Sequence, residues 1–162
     1  MKPIAHIKTD FNTKFGLPRQ SGLVPELKGE IVFLPEYSRP EAFRELEGFS
    51  HIWVIWEFSE AKREAWSPTV RPPRLGGNKR VGVFATRSPF RPNSLGLSCV
   101  KLEKISFENN RAVLRVSGID MMNGTPVFDI KPYIPVADCI TGASEGYTAE
   151  TRAHSLTVII PE

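Results

Sequence analysis

Three segments of the chain combine a rigid backbone with polar side chains that suit substrate binding or proton transfer. They run from Lys14 to Leu23, from Val70 to Leu97 and from Gly118 to Tyr133. Because proline and glycine hold such loops in few conformations, their polar groups lose little entropy when a ligand binds. Arginine forks bind phosphate or carboxylate groups, and a positioned carboxylate acts as a general base.

Each segment taken alone also has a plain structural interpretation. Pro-Pro and Gly-Gly pairs make turns, and Asp129 and Lys131 can pair across a strand edge. The presence of all three segments in one chain is harder to explain as scaffold. We therefore treat them together as a candidate site.

Positive charge is concentrated in residues 62–91. This stretch holds eight lysines and arginines and a single acid, Glu64, a net charge of +7 in a chain whose total is +3. Trp66, Phe84 and Phe90 are interleaved with the cations, as in proteins that bind single-stranded nucleic acid. The pattern predicts a polyanionic partner or a phosphate-bearing substrate, and the alternative is a solvated basic surface.

Several common catalytic patterns are absent from the sequence. There is no Gly-x-Gly-x-x-Gly turn, no Walker loop and no Gly-x-Ser-x-Gly elbow. His6, His51 and His154 lack metal-ligand spacing, and Cys99 and Cys139 are too few for a cysteine-rich zinc site. We therefore expect no metal and no dinucleotide-type crevice.

The elements that must position these residues are mostly strands. Ser38, followed three residues later by Glu41, forms a capping-box pattern that predicts an α-helix ending near Glu47. Residues 59–80 form a long irregular stretch, which in a compact domain is usually functional. Apolar patterns predict strands at residues 4–11, 23–34, 51–58, 81–86, 97–107, 112–116 and 125–130, with a further edge strand at 155–160.

Length and composition suit one domain with a proper core. The 162 residues are 41% hydrophobic and 24% charged, and 12 glycines and 14 prolines favour a turn-rich β fold, a barrel or a sandwich. No apolar run is long enough for a membrane span or a signal peptide, so we expect a reducing cytoplasm. We expect residues 1–140 to form the barrel domain and residues 141–162 a tail that adds an edge strand or a dimer contact.

The second segment resembles the signature of the TsaA-like (TrmO) family. Its two runs are Arg-Pro-Pro-Arg-Leu-Gly-Gly-Asn at 71–78 and Gly-Val-Phe-Ala-Thr-Arg-Ser-Pro-Phe-Arg-Pro-Asn at 82–93. The resemblance covers about residues 4 to 139. Further matching positions are Phe15, residues 18–20, residues 49–51, Asp120, residues 124–127 and residues 129–133.

The resemblance implies a small, non-Rossmann β-barrel that works as a homodimer. It implies a tRNA methyltransferase that uses S-adenosylmethionine and modifies the N6 nitrogen of N6-threonylcarbamoyladenosine, next to the anticodon. Many family members carry an additional C-terminal domain, so this chain resembles a short form. The alternatives are another RNA or small-molecule acceptor for the same reaction, or a non-catalytic barrel that binds RNA or a ligand.

The resemblance also implies roles for individual residues. The family commonly has His-Gln where this chain has Ser59 and Glu60, which makes that contact the least typical of the set. Candidates for tRNA or substrate contacts are Arg71, Arg74, Arg91, Asn93 and Lys131. Residues expected to bind the methyl donor are Gln20, Ser21, Gly22, Leu23, Ser59, Glu60, Arg87, Leu97, Gly118, Ile119 and Asp120.

The implied reaction sets requirements on the catalytic side chains. Methyl transfer from a sulfonium is an in-line displacement, so alignment supplies much of the rate. The accepting nitrogen is a poor nucleophile until its proton leaves, because its lone pair is delocalised. Asp120 or Asp129 is expected to accept that proton or orient a water, and Tyr133 to orient the base or stack on it. The threonyl carboxylate is a natural target for an arginine fork.

Overall fold

A computed structural model describes residues 1–61 and 65–150, apart from the side chains of Arg74 and Glu150. Six strands close an antiparallel barrel in the order β1-β2-β7-β6-β3-β8, and β4 and β5 form a separate two-stranded sheet. The predicted strand at 155–160 lies outside the described residues. The strands are β1 (Ala5–Lys8), β2 (Lys28–Phe33), β3 (His51–Glu57), β4 (Thr69–Val70), β5 (Val81–Gly82), β6 (Leu95–Glu108), β7 (Arg111–Ser117) and β8 (Pro126–Pro132).

The barrel core is built by alternation along each strand. In β3, Ile52, Val54 and Trp56 point inward and are at most 5% exposed, while the residues between them face outward and are half-buried. Because successive side chains of a strand point to opposite faces, a single strand supplies both the core and an outer surface. The predicted mostly-β fold is confirmed as a closed barrel.

The turn between β6 and β7 follows from two asparagines. Asn109 and Asn110 have φ values of 50° and 60°, the left-handed conformation at both central positions of a two-residue hairpin turn. Asparagine tolerates that conformation better than most residues, and this turn matches the twist of the flanking strands. The predicted hairpin is confirmed.

The predicted α-helix from Ser38 to Glu47 is wrong. The hydroxyl of Ser38 donates to the carbonyl of Leu34, at 2.9 Å, instead of accepting from an amide ahead of it. Glu45 has a φ of 65°, which interrupts any helix. The segment instead forms three separate 3₁₀ turns at Pro35–Tyr37, Pro40–Phe43 and Leu46–Gly48.

The strand predicted at 4–11 is only Ala5–Lys8, and two other predicted strands are also shorter than expected. Residues 23–27 form a turn, with the amide of Leu27 bonded to the carbonyl of Val24, so β2 begins only at Lys28. The strand predicted at 81–86 ends at Gly82. The other short helical elements are the 3₁₀ turns Ser59–Ala61, Pro73–Leu75, Val83–Ala85 and Gly146–Glu150, and α1 (Pro135–Asp138). Within residues 1–61 and 65–150, no helix has the length and apolar character needed to cross a membrane.

Candidate functional site

The barrel wall opens between β6 and β7. β7 pairs with β6 only from Lys101 onward, so residues 95–100 of β6 are paired on their β3 side alone. Exposed strand amides need other partners. A loop supplies a partner for one of them, because the Ser21 hydroxyl accepts from the Cys99 amide at 3.1 Å. The next residue of the loop, Gly22, donates its amide to the Gly118 carbonyl at 2.9 Å, after the end of β7.

The two glycines let this loop approach the turn after β7. Gly22 and Gly118 have φ values of 76° and 75°, a backbone conformation that residues with a side chain rarely adopt. A Cβ on Gly118 would lie 3.4 Å from the nitrogen and Cα of Gly22. The close approach brings residues 20–22 and 118–120 together beside the first half of β6.

Asp120 is held in this opening by a chain of hydrogen bonds from the core. The Ser98 hydroxyl donates to Oδ1 of Asp120 at 2.7 Å, and Nε1 of Trp56 donates to the same hydroxyl at 2.9 Å. Since an indole nitrogen is only a donor, the serine oxygen must accept from it and direct its own proton to the carboxylate. Ser98 is 1% exposed, so this orientation is fixed within the core.

Burial raises the pKa of Asp120 above that of an ordinary aspartate. The hydrogen bond from Ser98, backbone amides including that of Ser21, and the charge of Arg87 act in the opposite direction. The carboxylate is therefore partly desolvated and partly compensated, with a guanidinium close enough to influence it.

Arg87 joins a third part of the chain to this opening. Its Nη1 donates a hydrogen bond to Oε1 of Gln20. The guanidinium, the amide side chain and the carboxylate together offer both donors and acceptors to a bound molecule. We call this cluster the Asp120 site; its members are Gln20, Ser21, Gly22, Arg87, Ser98, Gly118 and Asp120.

An open groove of about 1320 Å³ lies next to the Asp120 site and shares Gln20 and Arg87 with it. Among the described residues that line this groove there is no aspartate or glutamate. Trp66, Phe58 and Phe90 supply aromatic surface. We call it the basic groove, after its five arginines: Arg19, Arg71, Arg80, Arg87 and Arg91.

Arg91 has a structural role in the wall of the basic groove. Its Nη1 donates to the carbonyls of Val83, at 3.1 Å, and Thr86, at 2.6 Å. Its guanidinium also lies 5.7 Å from the ring centroid of Phe84. Arg91 therefore holds the loop that carries Arg87, while also facing the groove.

Four of the predicted site residues lie on the outer face of the barrel, away from Asp120. Asp129 pairs with Lys131 at 3.2 Å, the pairing that the structural interpretation of these residues anticipates. Across β3, Asp129 is aligned through Ile55 with Leu97, which is 59% exposed. The centroid of the Tyr133 ring lies 5.7 Å from that of Trp53 on the same face. The pKa of Tyr133 is raised, mainly because its hydroxyl is partly desolvated.

The remaining predicted residues are dispersed. Leu23 lines the basic groove, and Ser59 and Glu60 form the exposed turn at the end of β3. Ile119 is fully buried in the core, so only its backbone is available to a ligand. Asn93 lines a second groove of about 700 Å³. Arg71 lines the basic groove, and the side chain of Arg74 lies outside the described part.

The sequence interpretation missed Ser98 and Trp56. A signal existed, since Gly96, Ser98 and Val100 alternate with outward residues, which places a hydroxyl on an inward face. A Cβ on Gly96 would lie 2.3 Å from the Trp56 ring, so the glycine makes room for the indole that bonds Ser98. Ser98 belongs to the Asp120 site, and its hydrogen bond from Trp56 ties that site to the barrel core.

Comparison with known proteins gives consistent matches. The family model described as tRNA-methyltransferase O N-terminal domain matches residues 6–139. A tRNA (adenine(37)-N6)-methyltransferase of Escherichia coli (strain K12) is 44% identical over 155 residues, covering 96% of this chain and 66% of that protein. A probable S-adenosyl-L-methionine-binding protein of Pyrococcus abyssi is 35% identical over an alignment that covers 96% of this chain and 78% of that protein.

The fold matches as well. The crystal structure of TrmO from Pseudomonas aeruginosa superposes with a TM-score of 0.72 at 41% identity, covering 90% of this chain. This chain spans 60% of that crystallised chain and less than two thirds of the Escherichia coli relative.

Proposed function

The chain belongs to the tRNA-methyltransferase O N-terminal domain family, and from that membership we propose that it methylates tRNA with S-adenosylmethionine as donor. The proposed acceptor is the N6 nitrogen of N6-threonylcarbamoyladenosine beside the anticodon. The observation that carries the proposal is the junction of the Asp120 site with the basic groove at Gln20 and Arg87. A donor pocket and a polyanion surface meet there.

The side chains of the Asp120 site suit the groups of S-adenosylmethionine. That molecule carries a carboxylate, an ammonium and ribose hydroxyls, and when bound it supplies an electrophilic methyl group. The guanidinium of Arg87 suits the carboxylate, and the carboxylate of Asp120 accepts from an ammonium or a hydroxyl. Nothing lies within 4 Å of the position that a Cβ on Gly22 would take, which leaves room for a flat group to lie against this backbone.

The basic groove suits the acceptor. Its five arginines bind phosphates and the threonyl carboxylate of the modified nucleoside without competition from a described acidic lining residue. An anticodon loop presents unstacked bases, which lowers the energy needed to expose the target. We assign Arg71 to this surface, since it lines the groove and does not belong to the Asp120 site.

Of the two aspartates considered for proton transfer, we favour Asp120. Its raised pKa makes it a better proton acceptor than an ordinary aspartate, and it lies beside Arg87. Asp129 instead lies on the outer face, where it pairs with Lys131. Arg87 can stabilise negative charge that develops on the acceptor as its proton leaves.

We also propose that the chain forms a homodimer in the cytoplasm. The outer face carries Trp53 and Tyr133 in contact, with Leu97 59% and Ile134 42% exposed. Such exposed apolar surface is typical of protein interfaces. Light scattering should give twice the 18.2 kDa mass of the chain, and a Leu97→Asp variant should be monomeric; a monomeric parent would contradict this assembly.

The test of the activity is nucleoside mass spectrometry. The chain is incubated with S-adenosylmethionine and tRNA that carries the threonylcarbamoyl group but lacks the methyl group. A methylated threonylcarbamoyladenosine is the expected product. Donor binding without that product would point to another acceptor, and neither binding nor product would leave a non-catalytic barrel.

A further inference from the structure

Two aromatic side chains stand exposed together at the basic groove. Trp66, which lines the groove, is 50% exposed, and its neighbour Phe84 is 71% exposed. Their ring centroids are 6.0 Å apart and their planes differ by 33°. Large rings that contact each other yet remain in solvent, rimmed by charges, mark an interaction surface.

The backbone that carries the two rings is tied together. The amide of Val83, next to Phe84, donates to the carbonyl of Pro68 at 2.9 Å, which joins the Phe84 turn to the Trp66 segment. The Ser67 hydroxyl donates to the carbonyl of Thr69 at 2.8 Å. Because these bonds precede any ligand, the aromatic surface needs little ordering when a partner binds.

Arg91 supports the pair from the side of Phe84. Its guanidinium is anchored by the Val83 and Thr86 carbonyls and lies 5.7 Å from the Phe84 ring centroid. A cation over an aromatic ring stabilises that placement. Trp66 and Arg91 both line the groove, and Phe84 contacts both of them.

The charge around Trp66 selects the kind of partner. The groove presents five arginines and, among its described lining residues, no carboxylate. A second copy of this chain would bring the same positive charges against them, which is unfavourable. Exposed aromatic rings beside arginines suit single-stranded nucleic acid, whose bases stack and whose phosphates are anionic.

We infer that Trp66, backed by Phe84, is a stacking platform for an unpaired base of the tRNA anticodon loop next to the target nucleoside. The inference rests on the proposed function, since it takes the same RNA into the same groove. Stacking adds a contact that phosphate binding by arginine does not supply. It holds the loop open while the target base is presented to the Asp120 site.

The experiment uses the full chain and a synthetic anticodon stem-loop RNA with unmodified adenosine beside the anticodon. Tryptophan fluorescence and RNA affinity are measured over a range of salt concentrations for the parent, Trp66→Ala, Trp66→Phe and the control Phe107→Leu. The RNA should quench the tryptophan fluorescence of the parent. Trp66→Ala should weaken binding by about tenfold or more, with an unchanged slope of log affinity against log salt.

The conservative variants separate stacking from folding. Trp66→Phe should keep most of the affinity but lose the quenching, whereas Phe107→Leu, altered at the far end of β6 and outside the groove, should keep both. The inference is overturned if Trp66→Ala binds the RNA as tightly as the parent does. It is also overturned if Trp66→Ala changes the oligomeric mass of the protein while its RNA affinity stays the same. Quenching by this RNA, combined with no methyl transfer from S-adenosylmethionine to tRNA that carries the threonylcarbamoyl group, contradicts the proposed function alone.

Discussion

The hydroxyl of Ser98, inside the barrel, donates a 2.7 Å hydrogen bond to the carboxylate of Asp120 at its opening. Because the Trp56 indole donates to this hydroxyl, the serine cannot donate back to the indole and directs its proton to Asp120. The core therefore orients the charged group of the proposed donor site. Changes deep in the barrel should reach the site through this link.

Ser98→Ala should destabilise the fold by about 1–3 kcal/mol, because it leaves the buried Trp56 nitrogen without an acceptor. It should also weaken donor binding, since Asp120 loses the bond that orients it. Chemical denaturation gives the free energy of unfolding. The matched control is Ser50→Ala, whose exposed hydroxyl bonds His51 and whose loss should change stability by no more than about 0.5 kcal/mol.

Asp120→Asn should make the protein more stable than the parent near neutral pH. Burial raises the pKa of Asp120, so the stability it contributes is greatest below its unfolded pKa and is lost as pH rises through the folded pKa. The amide oxygen of asparagine still accepts from Ser98. Thermal melts should show the gain shrinking as pH falls toward the ordinary aspartate range; a constant gain at all pH values would contradict the raised pKa.

Arg87→Ala should weaken S-adenosylmethionine binding by about tenfold or more, because it removes a charged partner and frees Gln20. Arg80→Ala is the control, since Arg80 lies in the same groove but bonds Thr69 at 3.1 Å. Calorimetric titration of the two variants should separate them. Equal losses in both would mean that overall positive charge, not the Asp120 site, attracts the donor.

Gly96→Ala should cost about 1–3 kcal/mol, because its new methyl group meets the buried Trp56 ring at 2.3 Å and the indole must move. Gly82→Ala adds the same atom where nothing lies within 4 Å. Its effect should stay within about 0.5 kcal/mol. Denaturation midpoints of the two variants measure the difference, and similar values would show that the barrel absorbs the added methyl.

The sequence predicts the barrel better than it predicts the local turns. Strand alternation and the Asn109-Asn110 turn depend on neighbouring residues, so they can be read from the chain. The capping-box prediction fails because Ser38 bonds back to Leu34 and Glu45 adopts a left-handed conformation. Both choices depend on how the segment packs across the barrel, which local spacing does not show.

The candidate site is harder to predict because it depends on register. Gln20, Arg87 and Asp120 meet only because β7 stops pairing with β6 at Lys101, which leaves an opening that distant loops fill. Family resemblance names those three residues without giving that reason. Ser98 escapes notice because a serine at an inward strand position looks like a minor exception to an apolar pattern.

The proposal that the Asp120 site binds the methyl donor is tested most simply by calorimetric titration of S-adenosylmethionine into the parent chain, Asp120→Asn and Asp129→Asn. The two variants make the same chemical change, one at the barrel opening and one on the outer face. The parent and Asp129→Asn should bind the donor alike, while Asp120→Asn should bind it at least about tenfold more weakly. A parent that does not bind, or an Asp120→Asn variant that binds as the parent does, would contradict this proposal.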